Sequence, residues 1–428
     1  LNSDIITVFQ DYNNEVPGFN EHLDNLYALS DIIGKENFSL QANGTLQIMD
    51  YIGFFQRGHT RIQILPKIYA KSVGVELSGA ELNDSLNFVY RLLSWSGYLS
   101  HKKLPPQLQS SSASDLLEIF VGIFITEFLD LFSKKINRNY IQQEHNQQFI
   151  KGRILFSETA RKNPILKHLH VVRYDEYTIN NPLNRLFKAL IVMLLTRTTD
   201  SYNKRMLVRG INYLEEVDLK PLSTLMYKAI RFDRLNADFE PLFNMAKLFF
   251  HNSQPGLKDG KEKTFSFLVP IHLLFETFVG KVLGEFFNNR CVVSHGGPQL
   301  HLATCNNEGA FLLKPDFTIQ THEGITIILD TKFKYPFDKK GGVAISKSDL
   351  YQVTAYALRY NCKQLYLLYP KFIGVENEAS LLAEYFIESA AGRITLSVIQ
   401  IDVMEKDIEK IGATIKTHFN FLDKAAMI

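Results

Sequence analysis

Hydrophobic and polar positions alternate at two places early in the chain, Thr45-Leu46-Gln47-Ile48-Met49 and Arg61-Ile62-Gln63-Ile64-Leu65. A period of two predicts half-buried strands, with Gly44 and Gly58-His59 as turn signals and Pro66 as a stop. From Asn83 to Leu99 the period lengthens, and Leu86, Val89, Leu92 and Leu93 fall at helical spacing. A polar break at Ser110–Ser114 precedes a strongly apolar helix through Leu116, Ile119, Phe120, Ile123, Phe124, Phe128 and Leu131. Gly152 marks a bend after Phe149-Ile150-Lys151, and Asn180-Asn181-Pro182 opens a further buried helix that runs to Leu195.

Between His251 and Lys263, Pro255-Gly256 and Asp259-Gly260 sit among many charges and predict a linker. Beyond it the pattern predicts a helix from Pro270 to Phe287 that buries Leu274, Phe275, Phe278, Val282 and Phe286. Strands follow near Cys291-Val292-Val293, from Phe311 to Ile319 and from Ile325 to Phe333. A helix from Ser346 to Arg359, strands at Gln364–Tyr369 and Arg393–Ile401, and a terminal helix complete a mixed α/β sheet flanked by helices. The fold class is therefore multidomain α+β. Residues 1–150 form a β-containing region with helices, 151–258 a mostly helical connection, and 259–428 an α/β domain.

At 428 residues, with 46% hydrophobic and 21% charged positions, the chain has the composition of an ordinary globular protein of two or three domains. No apolar run reaches the roughly 18 residues of a membrane span, and no leader pattern opens the sequence. Three cysteines argue against a disulfide framework and suit a reducing cytoplasm. The net charge of +2 announces no polyanionic partner, yet charge is unevenly placed. The first fifty residues carry Asp4, Asp11, Glu15, Glu21, Asp24, Asp31, Glu36 and Asp50 against Lys35 alone. From Lys134 to Arg173 basic residues dominate; that run suits either a phosphate backbone or the solvated faces of ordinary helices.

The chemistry concentrates in Lys314-Pro315-Asp316-Phe317 and Leu329-Asp330-Thr331-Lys332. On a strand, Asp330 and Lys332 share one face. A turn around Thr321–Gly324 makes the two segments antiparallel neighbours and can bring Asp316 beside Asp330. Two carboxylates and the main-chain carbonyl of Thr331 suit an octahedral Mg²⁺, for which Mn²⁺ is expected to substitute. Such an ion acidifies water and neutralises a scissile phosphate, while Lys332 orients the water or steadies the developing oxyanion. Glu276, in an otherwise apolar helix, is a further ligand or an edge-of-core residue. Gln352 and Tyr356 share a helix face and either contact the substrate backbone or orient the lysine. Lys334, Lys339, Lys340 and Lys347 surround a loop with Gly341-Gly342 that can close on DNA.

Together, Pro315-Asp316, Asp330-Thr331-Lys332 and Gln352-Val353-Thr354-Ala355-Tyr356 resemble the PD-(D/E)xK nuclease superfamily. More narrowly the chain resembles the McrC family, the nuclease subunits of McrBC restriction systems. Ile150-Lys151-Gly152-Arg153-Ile154-Leu155-Phe156, Asn181-Pro182-Leu183-Asn184-Arg185 and Ile64-Leu65-Pro66-Lys67-Ile68 extend the likeness over nearly the whole chain. The resemblance implies a Mg²⁺-dependent DNA endonuclease whose catalytic set is Asp316, Asp330, Lys332, Glu276 and Gln352. It also implies an McrB-like AAA+ GTPase hexamer as partner, docked on residues 1–150 and stimulated in its hydrolysis, double-stranded DNA as substrate, and pairing of nuclease subunits.

No Gly-x-x-x-x-Gly-Lys-Ser/Thr loop is present, so the motor is expected on another chain; Gly256 to Lys261 lacks both spacing and hydroxyl. Cys291-x₃-His295 and His301-x₃-Cys305 offer four zinc ligands, but neither half is a CxxC knuckle, and Cys291 reads as a strand core residue. Two other functions stay open: a catalytically silent adaptor that regulates an NTPase, and a stand-alone recombination or repair nuclease.

Overall fold

The computed structural model describes residues 4–58, 60–69, 79–95, 116–251, 264–287, 291–321, 324–338, 340–375, 378–389, 392–405 and 407–419. The polar break at 110–114, linker residues 252–263 and Lys339 lie outside them. Among the described residues, no helix is long and apolar enough to cross a membrane.

Four strands form the N-terminal sheet in the order Asp4–Phe9, Thr60–Leu65, Tyr51–Arg57, Thr264–Pro270. The strand expected at Arg61–Leu65 is present, but its alternation misleads: Arg61 and Gln63 are each 1% exposed. The apolar helix Leu116–Lys134 begins against this strand, and the Leu116 backbone N–H donates to Gln63 Oε1 at 3.2 Å. A helix start has unpaired N–H groups, so a buried glutamine is useful there.

The far edge of this sheet comes from late in the chain. Thr264–Pro270 pairs antiparallel with Tyr51–Arg57, Leu268 opposite Gly53. A Cβ at Gly53 would lie 1.8 Å from the Phe267 carbonyl oxygen, so the strands approach this closely only over glycine. Pro270 therefore ends a strand, and the expected helix starts one residue later, at Ile271. A segment placed by sequence in the C-terminal unit thus completes the N-terminal sheet. The sheet of Asn139–Gln147, His170–Thr178 and Arg153–Ile154 likewise runs across residue 150.

The second sheet has six strands in the order Cys291–His295, Phe317–Thr321, Thr326–Thr331, Gln364–Pro370, Gly392–Ile401, Leu381–Ser389. It is mixed, with antiparallel pairs at the edges and parallel pairs in the centre. The strand expected from Phe311 to Ile319 is split. Glu308–Leu313 pairs with Leu300–Cys305 in a separate hairpin, and only Phe317–Thr321 joins the sheet. Phe287, fully buried, takes the core place expected of Phe286, which is half-buried.

Helices cover both faces. Ile327 and Leu329 point into the large core shared with helices Gly79–Trp95 and Ile271–Phe287. Ile328 points the other way, against Val353, Tyr356 and Ala357 of helix Lys347–Tyr360. The two halves meet through packed groups. Phe88 meets Phe333 edge-on at 5.8 Å, Arg91 Nε donates to the Val403 carbonyl at 2.6 Å, and Ile373 N–H donates to the Ile68 carbonyl at 2.7 Å.

Candidate functional site at the end of the second sheet

Strand alternation places Asp330 on the face of Ile328, beneath helix Lys347–Tyr360, and Thr331 on the opposite face. Asp330 is 1% exposed. Phe317 is registered opposite Leu329, so Asp316, one residue earlier, lies at the same end of the sheet as Asp330. Its Oδ2 accepts hydrogen bonds from both the backbone N–H and the hydroxyl of Thr331, each 2.6 Å. Lys332 Nζ stands 2.5 Å from Asp330 Oδ2. Glu276 arrives from helix Ile271–Phe287, and its Oε1 lies 2.7 Å from His295 Nε2 on the edge strand.

The electrostatics record crowding. Burial pushes Asp330 up to about 7; neighbouring Asp316 adds to this and Lys332 only partly offsets it. Glu276 is also raised, by burial and then by Asp316, against the pull of His295 and His272. Burial works to lower Lys332, but Asp330, Asp349 and Asp316 outweigh it and hold the ammonium charged. Asp316 therefore presses on both Asp330 and Glu276, with the half-buried Lys332 beside Asp330.

Helix Lys347–Tyr360 positions that lysine. Its start is capped by Ser346, whose hydroxyl accepts from Asp349 N–H at 3.1 Å. Lys332 Nζ donates to Gln352 Oε1 at 3.1 Å, Gln352 Nε2 donates to Tyr356 Oη at 2.8 Å, and Tyr356 Oη donates to the Lys314 carbonyl at 2.9 Å. The chain of bonds begins at the lysine and ends two residues before Asp316. Of the two roles open to Gln352 and Tyr356, orienting the lysine is the one this geometry favours. Tyr356 is 3% exposed, which corrects its assignment as a DNA contact.

The basic loop is less available than its composition implied. Lys334 Nζ is 2.5 Å from Asp349 Oδ2, so that lysine is paired within the protein. Lys340 and Lys347 are exposed. In the Lys134–Arg173 run, Arg173 pairs with Glu144, Arg161 with Glu158, Lys151 with Glu176 and Lys135 with Asp238. Much of its charge is therefore compensated locally. The four zinc candidates are spread out. Cys291 is buried, His295 faces Glu276, and Cys305 is exposed beside the hairpin turn. Among the described residues no group of three or more His, Cys, Asp or Glu side chains is drawn together at metal-binding spacing.

Sequence reasoning missed three neighbours of the site. Asp349 is 5% exposed and lies 4.0 Å from Lys332 as well as beside Lys334. Its spacing of three from Gln352 on one helix was the available signal. His295 was read only as a zinc candidate. His272 Nδ1 is 2.5 Å from Asp50 of the N-terminal half, a pairing that no local pattern encodes.

A fold with two mixed sheets and an acid-and-lysine cluster at the end of one of them defines a class that the comparisons narrow. Residues 46–370 match the family model described as McrBC 5-methylcytosine restriction system component, and the chain belongs to that family. Among solved structures it is similar to a chain of a refined half-complex from a tetradecameric assembly of Thermococcus gammatolerans McrB AAA+ hexamers with bound McrC. The TM-score is 0.72 at 18% identity, over 97% of this chain and 99% of that one, which establishes a shared fold. A second match, to the cryo-EM structure of the Thermococcus gammatolerans McrBC complex, has a TM-score of 0.49 at 21% identity over 65% of this chain and 87% of that one. No curated protein matches in sequence.

Proposed function

We propose that the chain is the nuclease subunit of an McrBC-type restriction complex, hydrolysing phosphodiester bonds of double-stranded DNA with a PD-(D/E)xK site. The observation that carries this reading is the convergence of Asp316, Asp330 and Lys332 at one sheet end, with Glu276 facing them from a helix. Nothing in the fold demands that Asp316 crowd both Asp330 and Glu276 beside a half-buried lysine, and charge crowding of this kind is a mark of functional sites.

In its chemistry the donor set suits a hard divalent cation, although among the described residues the three carboxylates do not stand at metal-binding spacing. The candidate ligands Asp316, Asp330, Glu276 and the Thr331 carbonyl offer oxygen only, and the raised Asp330 and Glu276 are groups that a dication would return to the ionised state. Mg²⁺, or Mn²⁺ in its place, would supply charge neutralisation at the phosphate and a more acidic water. Lys332 is a half-buried cation in the cluster, and its N–H groups would hydrogen-bond charge that builds on the phosphate oxygens. Asp330 and Gln352 fix its direction. Thr331 holds Asp316 from both its N–H and its hydroxyl, so that this carboxylate cannot rotate away.

The partner in this reading is an McrB-like AAA+ GTPase hexamer, whose hydrolysis the chain stimulates. Exposed apolar residues occur in the segment of the sheet that spans residues 139–178: Phe149 is 79% exposed, Phe156 77% and Ile165 87%. Exposed apolar side chains are candidates for contact surfaces, and in this reading they add to the docking region at residues 1–150. The test uses the purified complex with GTP and Mg²⁺. Asp316→Ala and Lys332→Ala abolish cleavage while assembly and stimulated GTP hydrolysis persist. Cleavage by either variant at the wild-type rate would overturn the proposal, and a wild-type complex that cuts no DNA would leave the adaptor reading in its place.

A further inference from the structure

The hairpin Leu300–Leu313 joins two residues already at the site. His295, which holds Glu276, precedes it, and Asp316 follows it. It therefore projects from the same end of the sheet as the carboxylates. Asn306 and Asn307, with φ 50° and 65°, make its two-residue turn between the paired Cys305 and Glu308. Its base is fastened to the helix that orients Lys332. Arg359 Nε donates to the His301 carbonyl at 2.7 Å, Tyr360 Oη to the Pro298 carbonyl at 2.5 Å, and Tyr356 Oη to the Lys314 carbonyl at 2.9 Å. The hairpin is thus held in fixed relation to the site.

Phe311 sits within it at φ 58° while 76% exposed. A bulky residue in the left-handed region is strained, and no burial of this side chain offsets the strain. Leu302, 46% exposed, lies opposite it, between the registered pairs His301–Leu312 and Ala303–Ala310. Lys314 and Arg359 flank the base with positive charge, and Glu308 lies at the turn.

We propose that this hairpin is a substrate wedge, with Phe311 backed by Leu302 inserting between, or stacking on, bases of the DNA that lies across Asp316. The idea rests on the nuclease reading above. Two-stranded ribbons fit a DNA groove, and exposed Phe and Leu are the residues that unstack base steps. Five residues of extended chain separate Phe311 from Asp316, at most about 16 Å. At ~3.4 Å per base step, the wedge reaches DNA within about five steps of the cut.

The test places 2-aminopurine at successive steps on either side of the cleavage position in a duplex bound by the full complex. Wild type and the uncleaving Lys332→Ala variant both raise fluorescence at one step within about five of the cut. Phe311→Ala loses that rise and cuts a perfect duplex about tenfold more slowly, but recovers on a duplex mismatched at that step. Phe311→Trp restores both signals. Phe311→Gly relieves the strained φ, so its melting temperature rises while cutting falls, an outcome that a merely structural residue would not give. Unchanged fluorescence, or cutting of the perfect duplex by Phe311→Ala within twofold of wild type, overturns the wedge. So does a Phe311→Ala defect confined to self-association or partner binding in sedimentation. Fluorescence reads binding, not cleavage, so a duplex that is never cut but still shows a Phe311-dependent rise at one step sinks the nuclease reading alone, whereas no rise at any step overturns the wedge.

Discussion

Replacing Tyr356 by Phe keeps the buried ring and deletes two hydrogen bonds, one to the Lys314 carbonyl at 2.9 Å and one from Gln352 at 2.8 Å. At about 1 kcal/mol net for each bond, the variant loses about 2 kcal/mol of stability. The effect on catalysis is separate. Gln352 loses the partner that fixes its amide, so its Oε1 no longer stays 3.1 Å from Lys332 Nζ. Lys332 keeps Asp330 at 2.5 Å, so its misdirection is partial. A tenfold fall in kcat, equivalent to about 1.4 kcal/mol, is expected with KM within twofold. Gln352→Met gives a similar fall, and the double variant is no slower than either single one, because both act through the same lysine. Steady-state cleavage by the assembled complex measures kcat, and urea unfolding of the isolated chain measures stability. If Tyr356→Phe unfolds more easily but keeps kcat within twofold of wild type, or if the two defects multiply, the hydroxyl supports the fold alone and the orienting role is refuted.

Three further outcomes test other parts of the structure. Gly53→Ala forces a Cβ to 1.8 Å from the Phe267 carbonyl oxygen and should destabilise the chain by about 2 kcal/mol or more in thermal melts, whereas a neutral result would disprove the pairing of Thr264–Pro270 with the N-terminal sheet. Burial raises Asp11 from 3.8 to about 6, with Lys67 in partial opposition, so the unfolded chain releases this proton first as pH rises. Stability is therefore lost between about pH 4 and 6 and levels off above. Asp11→Asn should gain about 1 kcal/mol at pH 8, after discounting for solvent and for Lys67's lost partner, and nothing at pH 4. A pH-independent difference in urea midpoints would contradict this. Lys347 is exposed, and Lys347→Gln should weaken DNA binding uniformly across sequences and reduce the salt slope by about one. Loss confined to one sequence would place that lysine on a base edge.

Much of the site was legible because its parts are local. A strand places Asp330 and Lys332 together, and a hairpin brings Asp316 beside them by register alone. The i, i+4 spacing of Gln352 and Tyr356 put both on one helix face, but spacing says nothing about whether a face meets water or core. Only the packing of Val353, Tyr356 and Ala357 against Ile328 decided that Tyr356 turns inward. The Leu300–Leu313 hairpin was partly hidden for a related reason. Phe311, Leu312 and Leu313 run up to Phe317 as one apolar stretch interrupted by Lys314-Pro315-Asp316, and Pro315 was the local signal that the strand breaks there.

The amino-acid sequence by itself determined the mixed sheet, most of its strands and helices, and the identity of the acid-and-lysine set, since each depends on short-range periodicity and residue chemistry. Tertiary structure alone decided what closes the N-terminal sheet, which polar residues are buried, and which charges are already paired. Thr264–Pro270 joins strands some two hundred positions earlier through backbone hydrogen bonds that carry no side-chain signature, with Gly53 as the one local trace. Gln63, Asp349 and Lys334 look like surface residues in the sequence. Helix Leu116–Lys134 gives Gln63 a partner and the site pairs Asp349 with the half-exposed Lys334; for the buried Gln63 and Asp349, a polar group taken out of water must find a bond that only the folded chain can supply.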